Sequence, residues 1–193
     1  YLRMIGVTTP TFVQPTGIEY ERFQAVKPAD VEALRKKLRL SNEKVFISVA
    51  RLSNEKNIDF IIEAIDRLRQ ESDVPFRFLM IGDGHQRDRL QKKIDSLELG
   101  SHFTLVGAVQ PEEMALWYNL GDAFLFASKS ETQGMVILEA MSAGLPVVAV
   151  RSSGIEDVVR DGLNGYKTPE NQARWLEKAR QLLEDDALRA ELS

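Results

Sequence analysis

Along the chain, apolar residues gather in short continuous runs, separated by stretches in which they recur every third or fourth position. The runs cover residues 45–50, 76–81, 102–106, 123–127 and 146–150, each rich in Val, Ile, Leu or Phe. Continuous apolar runs of this length predict strands covered on both faces, as in a parallel sheet. Between them, Ile58, Ile61, Ile62, Ile65 and Leu68 fall on one helical stripe, as do Leu90, Ile94 and Leu97. Pro111 followed by Glu112 and Glu113 predicts a helix start. A further helix is predicted from Gly134 to Ala143, stopped by Gly144 and Pro146. Strand and helix alternate throughout, which predicts an α/β fold with a doubly wound parallel sheet.

The two ends follow other patterns. Residues 1–28 carry Pro10, Pro15 and Pro28 and read as a lead-in, with one short strand expected at 11–14. Residues 29–40 predict a charged amphipathic helix. The tail, 171–193, predicts a helix with Ala173, Leu176, Ala179, Leu182 and Leu183 on one stripe. Trp175 in that helix is expected to expose apolar surface toward a second domain.

Composition narrows the function. The 193 residues, 44% hydrophobic, suffice for one substantial core. A net charge of −4 argues against a protein that coats nucleic acid, which would carry a basic face. It leaves room for an anionic small ligand held by a few placed cations. The chain has no cysteine, so disulfides and thiolate metal sites are excluded, in keeping with a reducing cytosol. His85 and His102 stand alone, without partners at metal-ligand spacing, and read as surface or edge residues. No metal site is expected. No apolar run reaches the ~20 residues of a spanning helix. The chain opens on Tyr1 and is expected to be a piece of a longer protein.

Ligands of open α/β sheets gather at the carboxyl ends of the strands. After the first strand comes Arg51-Leu-Ser-Asn-Glu-Lys56, two cations on one loop before a helix. The fork of Arg and the point charge of Lys suit a diphosphate, though two solvated surface cations would read the same way. Gly82-Asp83-Gly84, after the second strand, allows a tight turn or a close backbone approach but is no dinucleotide fingerprint. The loop Gly107-Ala-Val109, after the third, either frames a base or simply connects. After the fourth, Glu131 precedes a helix whose start, at Gly134, Met135 and Val136, would offer free amides to an anion. Glu139 lies inside that helix between Leu138 and Ala140, a setting too apolar for a surface helix. It needs partners: ligand hydroxyls, or a structural ion pair with Arg51 or Lys56.

Together these residues resemble the retaining family 4 glycosyltransferases, the group 1 transferases. The resemblance runs from about Thr16 to the end. It rests on ETQGMVILE at 131–139 followed by AMSAGLPVVA, on SVARLSNEKN at 48–57, on IGDG at 81–84 and on DGLNGY at 161–166. It implies a GT-B architecture of two Rossmann-like domains facing a cleft. Residues 1–15 would be the interdomain linker and 16–193 the nucleotide-sugar-binding domain, the amino-terminal acceptor domain lying outside this sequence. The resemblance further implies that Arg51 and Lys56 hold the donor diphosphate, that amides at Gly134, Met135 and Val136 meet the phosphate or sugar, and that Glu139 accepts from the ribose hydroxyls. Glu131 would face the transferred sugar, and Gly107 and Val109 would frame the base. It also implies transfer with retention, no metal and no cofactor beyond the nucleotide-sugar.

Many members read Glu-Gly-Phe-Gly where this chain reads Glu131-Thr-Gln-Gly134. That variant looks like transferases that glucosylate diacylglycerol. It implies a UDP-glucose donor, a lipid acceptor and a cytoplasmic enzyme at the inner face of a membrane, with its own amino-terminal domain as partner and no nucleic acid. A sugar-nucleotide epimerase, a phosphorylase or a non-catalytic nucleotide-sugar-binding module on the same fold stays open, because fold does not determine function.

Overall fold

The computed structural model describes residues 3–10, 12 and 17–193. The strand expected at 11–14 falls outside the described residues, Phe12 excepted. Six strands form one sheet: β1 (Lys44–Val49), β2 (Phe76–Ile81), β3 (Phe103–Gly107), β4 (Ala123–Phe126), β5 (Val147–Val150) and β6 (Gly165–Thr168). Their order is β3-β2-β1-β4-β5-β6, and every pairing is parallel. The doubly wound parallel α/β fold is therefore as the alternation predicts.

The sixth strand is the addition. Its sequence, Gly-Tyr-Lys-Thr, holds no apolar run, because β6 is an edge strand with its two middle residues half-exposed. It enters the sheet through Gly165, where a β-carbon would stand 2.1 Å from the carbonyl oxygen of Val147. Only a glycine lets β6 approach β5 that closely.

Helices cover both faces. One carries α3 (Ile58–Glu71), α4 (Arg87–Ser96), α7 (Gln172–Glu184) and α8 (Asp186–Leu192), and buries Phe46, Ile61, Ile65, Phe78, Leu90, Leu125 and Trp175 in one core. The other carries α1 (Tyr20–Gln24), α2 (Pro28–Lys37), α5 (Met114–Leu120) and α6 (Met135–Ser142), and buries Phe23, Val45, Ile47, Tyr118, Phe124, Ile137 and Ile155 in a second. Alternate residues of β1 thus serve opposite cores, which is why its sequence is apolar apart from Lys44 at its start and the buried Ser48.

Expectations about both ends are corrected. The tail is two helices rather than one, divided at Asp185, whose carboxylate caps α8 by accepting from the Leu188 amide. Within α7, Ala173 is exposed, while Trp175 is fully buried in its place. The Trp175 indole packs edge-on against Phe60 and its Nε1 donates to the Phe126 carbonyl at 3.2 Å, so it faces this sheet and not a second domain. The helix expected at 29–40 begins at Pro28, a residue favoured at a first helical position, and stops at Lys37.

Candidate functional site

The order of the strands reverses between β1 and β4: β2 and β3 continue to one side, β5 and β6 to the other. At such a switch point the loops leaving the two central strands part in opposite directions and open a crevice. The β1 loop carries Arg51 and Lys56; the β4 loop carries Glu131 and runs into α6. A cleft of about 280 Å³ lies there, lined by Ala50, Arg51, Lys56, Glu131, Gly134, Met135 and Val136, among others.

Backbone contacts fix the two loops. On the β1 side, the Leu52 amide donates to the Asp83 carbonyl at 3.0 Å and the Gln86 amide to the Leu52 carbonyl at 3.3 Å. A β-carbon on Gly82 would stand 2.1 Å from the Ala50 carbonyl oxygen, and one on Gly84 2.4 Å from that of Leu52. The Gly-Asp-Gly element is thus the close-approach device: it lets the β2 turn press against the backbone that carries Arg51. A single 3-10 turn, Asn54–Lys56, then presents Lys56, and Asn57 in the left-handed region (φ 56°) starts α3.

The β4 loop is tied to that turn. The Lys129 amide donates to the Glu55 carbonyl at 3.0 Å, and the buried Ser128 hydroxyl lies 3.4 Å from the same oxygen. This bond places Glu131 over Lys56: Lys56 Nζ and Glu131 Oε1 are 2.5 Å apart, with side chains 17% and 13% exposed. Arg51 stays exposed on the same wall. Gly134, with φ 60°, turns the chain into α6 and aims the helix amino terminus at the cleft. The loop after β5 closes the far side, since a β-carbon on Gly154 would stand 2.3 Å from the Glu131 carbonyl oxygen.

Glu139 sits one turn beyond Met135 on the same side of α6. It is not among the residues lining the cleft, and of the two kinds of partner weighed for it, the ion pair with Lys56 is made by Glu131 instead. Its Oε2 accepts from the Tyr118 hydroxyl at 2.8 Å. Tyr118 is fully buried; its burial first, and then the Glu139 charge, push its phenol well above the usual range, so it remains a donor. The helix is also less buried than its composition implies: only Ile137 and Ala140 are buried in it.

Gly107 and Val109 lie beyond β2, away from the cleft lining. Gly107 ends β3 at φ 95°, and its carbonyl accepts from the Gly82 amide at 2.8 Å. Val109 is partly buried against the second core. His85 is exposed, and His102 is half-buried against Phe76 at the sheet edge. Burial, then Arg69 and Arg77, lower the His102 pKa. Among the described residues no group of three or more His, Asp or Glu is placed to hold a metal ion, and no helix is long and apolar enough to cross a membrane.

Three contributors escape a reading by sequence. Tyr118 looks like core, and its partner is 21 positions away. Ser128 looks like an ordinary loop hydroxyl. Gly154 follows the fifth strand, but its type does not show that it packs against the Glu131 carbonyl.

Comparison with known proteins adds a family. The model described as glycosyl transferases group 1 matches residues 30–193. The alpha-monoglucosyldiacylglycerol synthase of Streptococcus pneumoniae is 35% identical over 157 residues, 79% of this chain and 35% of that protein. A synthase of the same name from Acholeplasma laidlawii is 35% identical over 161 residues, 82% of this chain and 40% of that protein. The chain thus spans two fifths or less of the length of these relatives. Among solved structures, HepE of Anabaena in complex with UDP-glucose matches with a TM-score of 0.81 at 26% identity, over 91% of this chain and 48% of that one.

Proposed function

The chain belongs to the group 1 glycosyltransferases, and from that premise we propose that residues 16–193 are the donor-binding domain of a retaining, metal-independent glucosyltransferase that takes UDP-glucose. The observation that carries this reading is the switch-point cleft. It brings two cations, a carboxylate and a helix amino terminus onto one surface. Arg51 and Lys56 hold the diphosphate and stabilise the charge that develops on it as the bond to the anomeric carbon breaks. The amides of Gly134, Met135 and Val136 add the helix-terminal field. Glu131 meets the sugar, Glu139 the ribose, and the Gly107–Val109 loop the base. The ligand of HepE supports UDP-glucose as donor, and the names of the two synthases support a diacylglycerol-type acceptor. The acceptor is chosen by an amino-terminal domain linked through residues 1–15, and the full enzyme works on the cytoplasmic face of a membrane.

Calorimetric titration tests the reading. UDP and UDP-glucose are expected to bind, with GDP and ADP weaker, and chelator or Mg²⁺ is expected to change little. Charge-assisted hydrogen bonds contribute roughly 1.5–3 kcal/mol each, so Arg51→Ala and Lys56→Ala should each weaken UDP by about tenfold or more, and Arg51→Ala, at an exposed position, should do so without lowering the melting temperature. Unchanged UDP affinity in both variants rejects the clamp, and a large gain in affinity with metal rejects metal independence.

A further inference from the structure

The Lys56–Glu131 pair has a consequence for which diphosphate the cleft prefers, and this inference rests on the donor reading above. We propose that Glu131 is a charge filter: it disfavours a bare nucleoside diphosphate relative to one capped by a sugar, and so favours departure of the spent nucleotide. Three observations carry it. Lys56 Nζ is 2.5 Å from Glu131 Oε1, so this cation is already paired before any ligand arrives. Both side chains line the cleft and are mostly withdrawn from solvent, 17% and 13% exposed, so water screens the pair less than it would at the surface. The backbone that carries the carboxylate is also held from behind. The Lys129 amide is bonded to the Glu55 carbonyl, and the backbone of Gly154 abuts the Glu131 carbonyl, so the loop has little room to swing Glu131 aside.

The charges then decide the preference. Arg51, Lys56 and Glu131 together present two positive charges and one negative. A sugar-capped diphosphate carries no terminal phosphate monoester. A bare one does, and its second ionisation, near about pH 6, adds roughly one negative charge at neutral pH. That charge sits on the phosphate the sugar has left, the end directed toward Glu131. With the sugar in place, its hydroxyls donate to the carboxylate; without it, two anions face each other across the cleft. Lys56 cannot fully compensate both, since it is shared between them.

The test is the ratio of two affinities, measured by calorimetry on the unmodified chain, Glu131→Gln and Lys56→Met with UDP and with UDP-glucose. Gln keeps the size of Glu and removes its charge. Glu131→Gln should tighten UDP by about fivefold while weakening or leaving UDP-glucose, because a like charge is removed and Lys56 is freed. Lys56→Met should move the ratio the other way, weakening UDP more than UDP-glucose. A purely structural ion pair would weaken both ligands together in both variants, and that result overturns the filter, as does a ratio that stays constant. Failure of the unmodified chain to bind either ligand rejects the donor reading itself, and the filter with it. Should Glu131→Gln not fold, Glu131→Ala, which also removes the charge, should shift the ratio opposite to Lys56→Met, and Glu131→Asp, which keeps the charge, should not; equal shifts in all three overturn the filter.

Discussion

At the scale of single residues, the site depends on who holds each charged group in place. Glu139 illustrates this. A carboxylate on a half-exposed helix has many rotamers, and binding a ribose with it would cost the entropy of fixing one. Tyr118 removes much of that freedom: a buried phenol donating at 2.8 Å to Oε2 leaves the other oxygen to accept from a ligand. The ring itself is locked by edge-on packing with Phe23 and by Phe124. Tyr118→Phe should therefore keep the fold, since the ring contacts survive, yet weaken UDP by about three- to tenfold through the loss of one hydrogen bond to a charged group. Thermal melts and calorimetry on Tyr118→Phe, Glu139→Gln and the double variant separate the effects. If Tyr118 acts through Glu139, the double variant should lose less than the sum of the two single losses, a coupling of roughly 0.5–3 kcal/mol. Additive losses, or unchanged affinity in Tyr118→Phe, would remove Tyr118 from the site.

At the scale of elements, the strands and helices of the interior are legible in the sequence because burial on both faces leaves an unbroken apolar run, as in β4 and β5. Legibility fails where burial is one-sided. The edge strand β6 shows no apolar run, and α6 reads as interior although Val136, Leu138 and Met141 are only partly covered. The site divides in the same way. Arg51, Lys56, Glu131 and Gly134 stand out by charge or by glycine at a strand's carboxyl end. The direction of the ion pair does not, because it depends on a hydrogen bond between Lys129 and Glu55, residues whose types carry no signal. Gly154 belongs with that hidden scaffold. Gly154→Ala should push the 131–134 loop by the width of a β-carbon placed 2.3 Å from a carbonyl oxygen. Overpacking of this kind costs about 1–3 kcal/mol, so a lowered melting temperature and weaker UDP binding are expected together. Gly100→Ala, where a β-carbon would meet nothing within 4 Å, is the matched control. Full UDP affinity in Gly154→Ala would show that the β5 loop does not shape the cleft.

At the scale of the whole molecule, the cleft is built from loops at the carboxyl ends of the strands of a single sheet. On the proposed reading, the β1 and β4 loops and the start of α6 cradle the donor diphosphate, but a transfer also needs an acceptor hydroxyl held against the anomeric carbon, and such positioning supplies much of the rate of an enzyme. Both faces of the sheet are already occupied by this chain's own helices, with Trp175 turned inward, so neither sheet face is free to carry an acceptor. The chain also spans no more than two fifths of the synthases it resembles. The expected outcome is a division of labour. Incubated with radiolabelled UDP-glucose and diacylglycerol in mixed micelles, these 193 residues should bind donor, at the affinity measured by calorimetry, and transfer nothing. Supplying the amino-terminal portion of the same protein should restore glucosyl-lipid, with the α-configuration of the donor retained in the product. Arg51→Ala should abolish that restored transfer, because the leaving diphosphate would lose a cation on which its developing charge depends. Robust transfer by the chain alone would place the acceptor site within these residues and overturn the division. An inverted product would reject retention while leaving the donor cradle intact.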